Sequence, residues 1–440
     1  VSQPVADAEV RYVSSATTNK SSLRRVMAGT AAGQFVEWYD YGIYGFLTVP
    51  IAANFFASDD TSGLISTFAV FAVTFVFRPF GGIVGGFFAD RFGRRKVLIA
   101  SLMTMSLATA AAGLLPTAAT IGIAAPLLLV LLRVVQGLSA GGELGSVMSF
   151  AGEHAPWNRR AFIVSFAQIG SFSSLLTGSV IGLLLTEVLS KQQLHGWGWR
   201  IPFFVALPLG IVGLYIRRKV EESPAYREIS EAGEVASQPV REALTSRVGR
   251  RAILVCATLS LLNSSGYYVL TSYMPSYLQK SLHFDPTASF GTTAVGILAL
   301  LCTVPLTSRW SDRIGRKPVL LTSSIATCVV VYPCFLLVDH RGALSIAGMA
   351  IMFVCFAMYT SVIQCVLVEL FPTRIRVTAY SIGYNISTAI FGGAAPLFLT
   401  YFIDVTGDSR VPAYYIIATA IGTLLTTLTI PETAKKKLQR

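Results

Sequence analysis

Five ionisable side chains interrupt otherwise apolar runs of this 440-residue sequence: Glu37, Asp40, Arg78, Arg133 and Glu143. A single charge at the centre of a bilayer costs about 3 kcal/mol or more, so such residues are paired, wetted or put to use. Glu37 and Asp40 stand one helical turn apart. Two carboxylates so close cannot both ionise cheaply, while a guanidinium nearby, from Arg133, favours their charged forms. That balance describes a proton site. Protonation would loosen a carboxylate's hold on Arg133 and leave its planar fork free to take an anionic group bidentately, so that proton and anion are held together. The plainer possibility is a fixed Glu/Asp–Arg pair that only docks two helices.

Such residues need elements that carry them to membrane depth. Charged residues make up 13% of the chain and hydrophobic ones 53%, where a soluble protein has about 25% charged; the surplus apolar surface has to face lipid. The net charge of +12 does not gather on one face as a nucleic-acid binder requires, so the partners expected are a lipid bilayer and a small solute, with no nucleic acid. Twelve apolar stretches are each long enough to cross a ~30 Å hydrocarbon core as helices. Lys and Arg concentrate in alternate loops, and one side keeps only Lys191, Arg200, Lys280, Arg341 and Arg410. The positive-inside rule then places both termini and the longest loop in the cytoplasm. The expected architecture is an all-α membrane protein with a disordered cytoplasmic leader (1–26), a six-helix bundle (27–217), a charged linker (218–250), a second six-helix bundle (251–431) and a tail (432–440). The first apolar run is too long for a signal-peptide core and is read as an uncleaved span. Six cysteines, all within apolar stretches and without Cys-x-x-Cys spacing, are expected as buried small side chains, not disulfides or metal ligands.

Counting about 1.5 Å per residue from the helix starts puts Glu37, Asp40 and Arg133 at one level near the midplane. Arg78 and Glu143 come out nearer the cytoplasmic end, at ~8 Å and ~3 Å by the same rise, where they are expected to pair in an inner gate. Gly33, Glu37, Asp40, Tyr41 and Tyr44 share one helical stripe, and Arg133, Gln136, Gly137, Ala140 and Gly141 another; both are expected to line a central cavity. The second half carries no charge in its spans until their ends, which leaves it hydrogen bonds and aromatic walls: Asn263 with Tyr267, Thr360 with Gln364, and Tyr384 with Ser381, Asn385 and Thr388, joined by Gln168 from the fifth span. Each of these would serve equally in helix packing.

Two motifs recur at nearly one spacing, which signals an internal duplication. Asp90-Arg-Phe-Gly-Arg-Arg-Lys96 follows the second span and Asp312-Arg-Ile-Gly-Arg-Lys317 the eighth. Glu153-His-Ala-Pro156, then Arg159 and Arg160, follows the fourth span; Glu369-Leu-Phe-Pro372, then Arg374 and Arg376, follows the tenth. The element Gly86-x-x-x-Asp90-Arg91-x-Gly93-Arg94-Arg95 resembles the signature loop of the major facilitator superfamily, and its duplication resembles that superfamily's two pseudo-symmetric bundles. Glu37-Trp38-Tyr39-Asp40-Tyr41-Gly42, Arg78-Pro79-Phe80-Gly81-Gly82 and Arg133-Val-Val-Gln136-Gly137, running to Gly141-Gly142-Glu143, resemble the metabolite:proton symporters within it. Members of that family take up proline and betaine, 2-oxoglutarate, citrate, shikimate and aromatic acids.

The resemblance implies alternating access and proton-coupled uptake of a small carboxylate-bearing metabolite by a monomer in a bacterial plasma (inner) membrane. The proton is the coupling ion, with no cofactor, metal or catalytic residue. A zwitterion such as betaine or proline is the second reading, because it too offers a carboxylate. The sequence ends soon after Ile430, without the coiled-coil tail of some osmolyte-sensing relatives, which disfavours an osmosensor. Asp90, Arg91, Arg94, Arg95 and Glu153, with their counterparts Asp312, Arg313, Arg316, Glu369 and Arg374, are expected to latch the cytoplasmic face. Asp90 would sit at a helix N-terminus of the opposite half, and Arg94 would bridge to Glu153. A drug exporter of similar fold would show a Gly-Pro pair in the fifth span, yet Gly170, Gly178 and Gly182 run into Leu183 without proline. An enzyme would want a metal cluster or an activated nucleophile; His154, His195, His283 and His340 lie far apart in sequence. A receptor would carry a soluble signalling domain, and no segment is long enough.

Overall fold

The computed structural model describes residues 20–56, 61–218, 222–234 and 237–438. Twelve long helices build it: α1 Lys20–Phe46, α2 Thr61–Phe92, α3 Arg94–Leu114, α4 Ala124–His154, α5 Arg160–Val188, α6 Ile201–Arg218, α7 Arg247–Lys280, α8 Pro286–Ile314, α9 Arg316–Asp339, α10 Ala343–Leu370, α11 Arg376–Thr406 and α12 Val411–Thr429. Eleven are long and apolar enough to cross a membrane; α1, diluted by Gln34, Glu37 and Asp40, is the twelfth. Helices α1–α6 and α7–α12 form two pseudo-symmetric bundles. Their shared seam is made chiefly by α2 against α11 and by α5 against α8.

Two boundaries differ from expectation. Helix α1 starts at Lys20, inside the expected disordered leader, because the polar turn Lys20–Arg25 extends the helix beyond its apolar part; residues 1–19 lie outside the described residues. The linker carries two short helices, Pro224–Glu231 and Pro239–Thr245. Ser223 caps the first, accepting from Tyr226 N. Cys302, expected to be buried, is exposed on α8, since an apolar stretch in a membrane protein covers one face with lipid and not with protein.

Close packing of α2 on α4 sets the geometry of everything between them. Val76, Phe80, Val84 and Phe88 stand exposed at four-residue intervals on the lipid side of α2, and a neighbouring stripe is glycine. A Cβ built on Gly85 would lie 2.6 Å from the Cα of Gly142, and one on Gly142 would lie 2.6 Å from the Cα of Gly85. Neither backbone can yield to that contact, which is the small-residue logic of membrane helix pairs. Gly85→Leu is therefore expected to separate α2 from α4, with overpacking at the upper end of the usual ~1–3 kcal/mol. The check is the yield and melting temperature of purified protein, beside a Val84→Leu control on the lipid face.

Helices α7 and α11 are broken in mid-course. A π-helical turn, Tyr268–Tyr273, precedes Pro275, and another, Ala389–Gly393, precedes Pro396. Proline cannot donate to the turn before it, so the backbone widens there and re-aims its side chains. The two widened turns pack on each other, the second also lies on α2, and the first meets α2 through Tyr268 against Phe75 and Tyr273 against Phe68, which delivers Tyr268 to the buried guanidinium of Arg78.

Candidate functional site

Arg78 is fully buried at the seam between the halves. Its Nε donates to Asn385 Oδ1 at 3.3 Å and its Nη1 to the Tyr268 hydroxyl at 3.3 Å, both from the second half. Its Nη2 lies 3.7 Å from Glu37 Oε1, close enough for attraction but not for a hydrogen bond. The guanidinium carbon stands 5.5, 5.6 and 5.7 Å from the ring centres of Trp38, Tyr41 and Phe75. The Tyr267 ring packs at a tilt against Trp38 at 4.4 Å and against Phe172 at 4.8 Å. The hydroxyls of Tyr41 and Tyr267, Glu37 Oε1 and Arg78 Nη2 are buried without hydrogen-bond partners. A cation, a carboxylate and several aromatic faces thus converge where the two bundles meet. Among the described residues, Glu37 is otherwise held by Gln34, whose Nε2 donates at 2.6 Å.

Asp40 belongs to a different cluster, and the expected Glu37–Asp40–Arg133 unit is split in two. Arg133 Nη1 donates to Asp40 Oδ2 at 2.5 Å, Gln136 Nε2 to Asp40 Oδ1 at 2.9 Å and Thr109 Oγ1 to the same oxygen at 3.0 Å. This cluster is closed among α1, α3 and α4 within the first half, with Arg133 packed 4.0 Å from the Tyr44 ring. The Tyr44 hydroxyl donates to Thr67 O at 3.1 Å. The cause is angular: Glu37 and Asp40 differ by three residues, which turns one about 60° from the other on a helix of 3.6 residues per turn, enough for neighbouring side chains to face different helices.

The expected Arg78–Glu143 pair does not form. Glu143 bonds Arg217 of α6 at 2.5 Å, and Arg217 also donates to Leu98 O. Depth counted along straight helices gives height and not direction. Arg217 stands at the polar end of its span, yet its side chain is buried and turns inward.

The neutral residues of the second half join into one chain across the seam. Gln168 Nε2 donates to Thr360 Oγ1 at 2.6 Å, Thr360 Oγ1 to Asn263 Oδ1 at 2.8 Å and Asn263 Nδ2 to the Tyr384 hydroxyl at 3.0 Å. Gln364 instead accepts from the Tyr380 hydroxyl, and Asn385 Nδ2 donates to Gly141 O at 2.6 Å.

At the end of the molecule that carries the linker, the duplicated motifs interlock. Asp90 Oδ2 accepts from Thr378 N at 3.0 Å and from Thr378 Oγ1 at 2.8 Å, at the N-terminus of α11. Asp312 accepts from Ala161 N at 3.1 Å and Phe162 N at 3.0 Å, at the N-terminus of α5. Glu153 lies 3.6 Å from Arg94 of its own half and 2.6 Å from Arg376 of the other. Glu369 lies 3.2 Å from Arg316 of its own half and 2.9 Å from Arg160 of the other. Four of the residues assigned to this latch stand outside these contacts. Arg374 pairs with Glu242 on the surface at 3.4 Å, Arg91 and Arg313 are exposed, and Arg95 donates to Arg218 O at 2.6 Å. Arg160 and Arg376 take the place given to Arg374, because only they project back toward the seam.

A third repeat escaped the sequence reading. Glu222 accepts from Arg94 N and Arg95 N, both at 3.2 Å, and Glu432 from Arg316 N at 2.9 Å and Lys317 N at 3.0 Å, each capping the N-terminus of a third helix of its half. Next to them, the Ser223 and Thr433 hydroxyls donate to Glu153 and Glu369. Glu-Ser after α6 matched against Glu-Thr after α12 was the available signal. Removing both latch carboxylates, Glu153→Gln with Glu369→Gln, would take away the charges that bridge Arg94 to Arg376 and Arg316 to Arg160, leaving Arg94 and Arg316 only Asp90 at 3.4 Å and Asp312 at 2.8 Å within their own halves. The expected result is an opened linker end, read as faster labelling by a thiol reagent of single cysteines placed on that face of the purified protein.

Residues 26–440 match the family model described as sugar (and other) transporter. The chain is 34% identical over 428 residues to the proline/betaine transporter of Salmonella typhimurium, covering 95% of this chain and 85% of that one. It is 35% identical over 429 residues to the glycine betaine/proline/ectoine/pipecolic acid transporter of Dickeya dadantii, with the same coverages. The solved structure of the proton:xylose symporter XylE bound to 6-bromo-6-deoxy-D-glucose superposes with a TM-score of 0.79 at 18% identity, covering 96% of this chain and 98% of that one. The inward-open form of XylE from E. coli superposes with a TM-score of 0.71, also at 18% identity, covering 94% and 98%.

Proposed function

The chain belongs to the sugar (and other) transporter family of the major facilitator superfamily, and from that premise we propose that it is a proton-coupled importer of a zwitterionic osmolyte such as proline or a betaine. The observation that carries this reading is Arg78, buried at the seam in a box of aromatic rings. A zwitterion offers a carboxylate to the guanidinium and an ammonium to aromatic faces, which attract cations by about 0.5–2 kcal/mol each. Trp38, Tyr41, Tyr267 and Tyr268 supply those faces. Every curated relative named above is a transporter of proline and betaine, which favours a zwitterion over the metabolic acids that were the first expectation.

Coupling follows from competition. Arg78 is shared between Glu37 and the solute carboxylate, and a protonated Glu37 no longer competes. Proton and solute then load together. Asp40, with three donors already upon it, is the fixed partner of Arg133, and that pair holds α1 to α4. The distribution of Lys and Arg supports a cytoplasmic linker end in a bacterial inner membrane, so the described conformation is closed toward the cytoplasm.

The test is accumulation in proteoliposomes of labelled proline, glycine betaine, 2-oxoglutarate, citrate and shikimate under an inward proton gradient. Concentrative uptake of the zwitterions that collapses with a protonophore is expected. Gradient-independent equilibration, or accumulation of the acids alone, overturns the proposal.

A further inference from the structure

Arg78 offers an anion two edges, and each is already half taken. A guanidinium grips a carboxylate bidentately either side-on, through Nε and Nη2, or end-on, through Nη1 and Nη2. Nε donates to Asn385 Oδ1 and Nη1 to the Tyr268 hydroxyl, each at 3.3 Å and each in the second half; among the described residues Nη2 has no hydrogen-bond partner. Either grip therefore displaces a bond that crosses the seam. The two partners differ in freedom. Tyr268 is wedged between rings, 4.8 Å from Phe75 and 5.4 Å from Tyr267. Asn385 has somewhere to go: the Ser381 hydroxyl stands one turn earlier on α11, buried and without a hydrogen-bond partner among the described residues. Asn385 also sits where release matters. Its Nδ2 donates to Gly141 O of α4 at 2.6 Å, so one amide ties α11 to both α2 and α4. About two turns before it, Thr378 donates twice to Asp90. That face of α11 lies on glycine: a Cβ on Gly82 would stand 2.7 Å from Asn385 Nδ2, and one on Gly86 2.9 Å from the Cα of Thr378. With small residues allowing so close an approach, the stretch from Thr378 to Asn385 parts from α2 as one piece.

We propose that Asn385 couples occupation of the Arg78 site to the latch at the linker end. A solute carboxylate takes the Nε and Nη2 edge of Arg78, Asn385 Oδ1 swings back to accept from the Ser381 hydroxyl, and α11 loses its tie to α2 at that level. Thr378 then leaves Asp90 more easily. The assignment rests on the reading that the solute carboxylate binds Arg78. An empty site keeps the tie and rests closed at the linker end, while a filled one shifts the population toward opening there. Asn385 acts through Arg78 and α11, so it is a positioning residue.

Amide hydrogen exchange of residues 371–381 in the purified full-length protein reads the latch directly, because Thr378 N is held by Asp90. In the wild type, saturating glycine betaine or proline is expected to speed that exchange. Asn385→Ala should exchange faster with no solute present and gain nothing further when solute is added. Asn385→Asp keeps an acceptor for Arg78 and competes with the solute as a fixed carboxylate; it should exchange no faster than the wild type and bind betaine about tenfold more weakly or worse, the scale of one hydrogen bond to a charged group. A residue that merely packs α11 would loosen the latch in both variants and leave the solute response in place. Ser381→Ala should shrink the response. Unchanged basal exchange in Asn385→Ala overturns the tie, and so does a solute response that survives there or that Tyr268→Phe alone removes. Betaine that binds only when Arg78 is present, yet leaves the wild-type exchange unchanged, overturns the coupling and leaves the Arg78 site standing. Betaine bound equally well by Arg78→Gln removes Arg78 from the solute site, and the displacement of Asn385 falls with it.

Discussion

Replacing Arg78 with glutamine is expected to abolish uptake while leaving a foldable protein. The guanidinium makes its two hydrogen bonds to Asn385 and Tyr268 across the seam and stands against three aromatic rings. Hydrogen bonds to a charged group are worth about 1.5–3 kcal/mol each, so losing a bidentate hold on a carboxylate costs about 3 kcal/mol or more, a weakening of ~100-fold or greater. Arg78→Lys keeps the charge and loses the fork, and sits between the two with a higher KM and residual transport. Leaving Glu37 buried beside a neutral glutamine costs stability as well, about 3–5 kcal/mol when one member of a buried pair is removed outright. Arg78→Gln with Glu37→Gln relieves that penalty and should melt near the wild type while still failing to bind labelled betaine. Recovery of binding in the double variant would remove Arg78 from the solute site.

Glu37→Gln alone separates exchange from accumulation. A permanently neutral side chain at this position mimics the protonated carrier, which binds solute but has no proton to deliver. Counterflow of labelled proline should persist near the wild-type rate, while the gradient-driven accumulation ratio falls to about one, a carrier without coupling being able only to equalise its ligand. Asp40→Asn should behave differently, because Arg133 loses its counter-charge and Gln136 and Thr109 keep only a neutral acceptor. It is expected to lower the melting temperature and reduce counterflow and accumulation together. If instead Asp40→Asn uncouples and Glu37→Gln does not, the coupling carboxylate is Asp40.

Much of the scaffold could be read in advance from the chain. Predominantly apolar stretches of sufficient length mark the spans, and the paired Asp90/Asp312 and Glu153/Glu369 motifs mark the duplication. The rest failed for reasons of direction. Arg78 and Glu143 came out near one height, but height along a helix says nothing about azimuth, and each turned to a different partner. Glu37 and Asp40, adjacent on a stripe, were separated by the angle between them. Arg217 was hidden by its position beside a charged linker. Arg160 and Arg376 were outvoted by their equally basic neighbours, since only the geometry of the helix starts decides which of two arginines faces inward. Glu222 and Glu432 sit in the linker and the tail, away from the loops that carry the other two repeated motifs.

The placement of buried charge has an electrical consequence. Glu37, Asp40 and Glu143 face Arg78, Arg133 and Arg217, all within the first half, and three negative charges against three positive leave the empty carrier neutral across its moving core. If one proton accompanies each solute, as the proposed coupling through Glu37 requires, the return stroke is expected to be indifferent to membrane potential. Adding a zwitterion contributes nothing to that sum, and the proton contributes one, so voltage works on the loaded stroke alone, at about 2.3 kcal/mol for each 100 mV. That is a further ~50-fold of concentrating power. A monoanionic acid carried with one proton would move no net charge and produce no current. Solute-evoked current on a solid-supported membrane therefore reports which class of molecule this carrier was built to move.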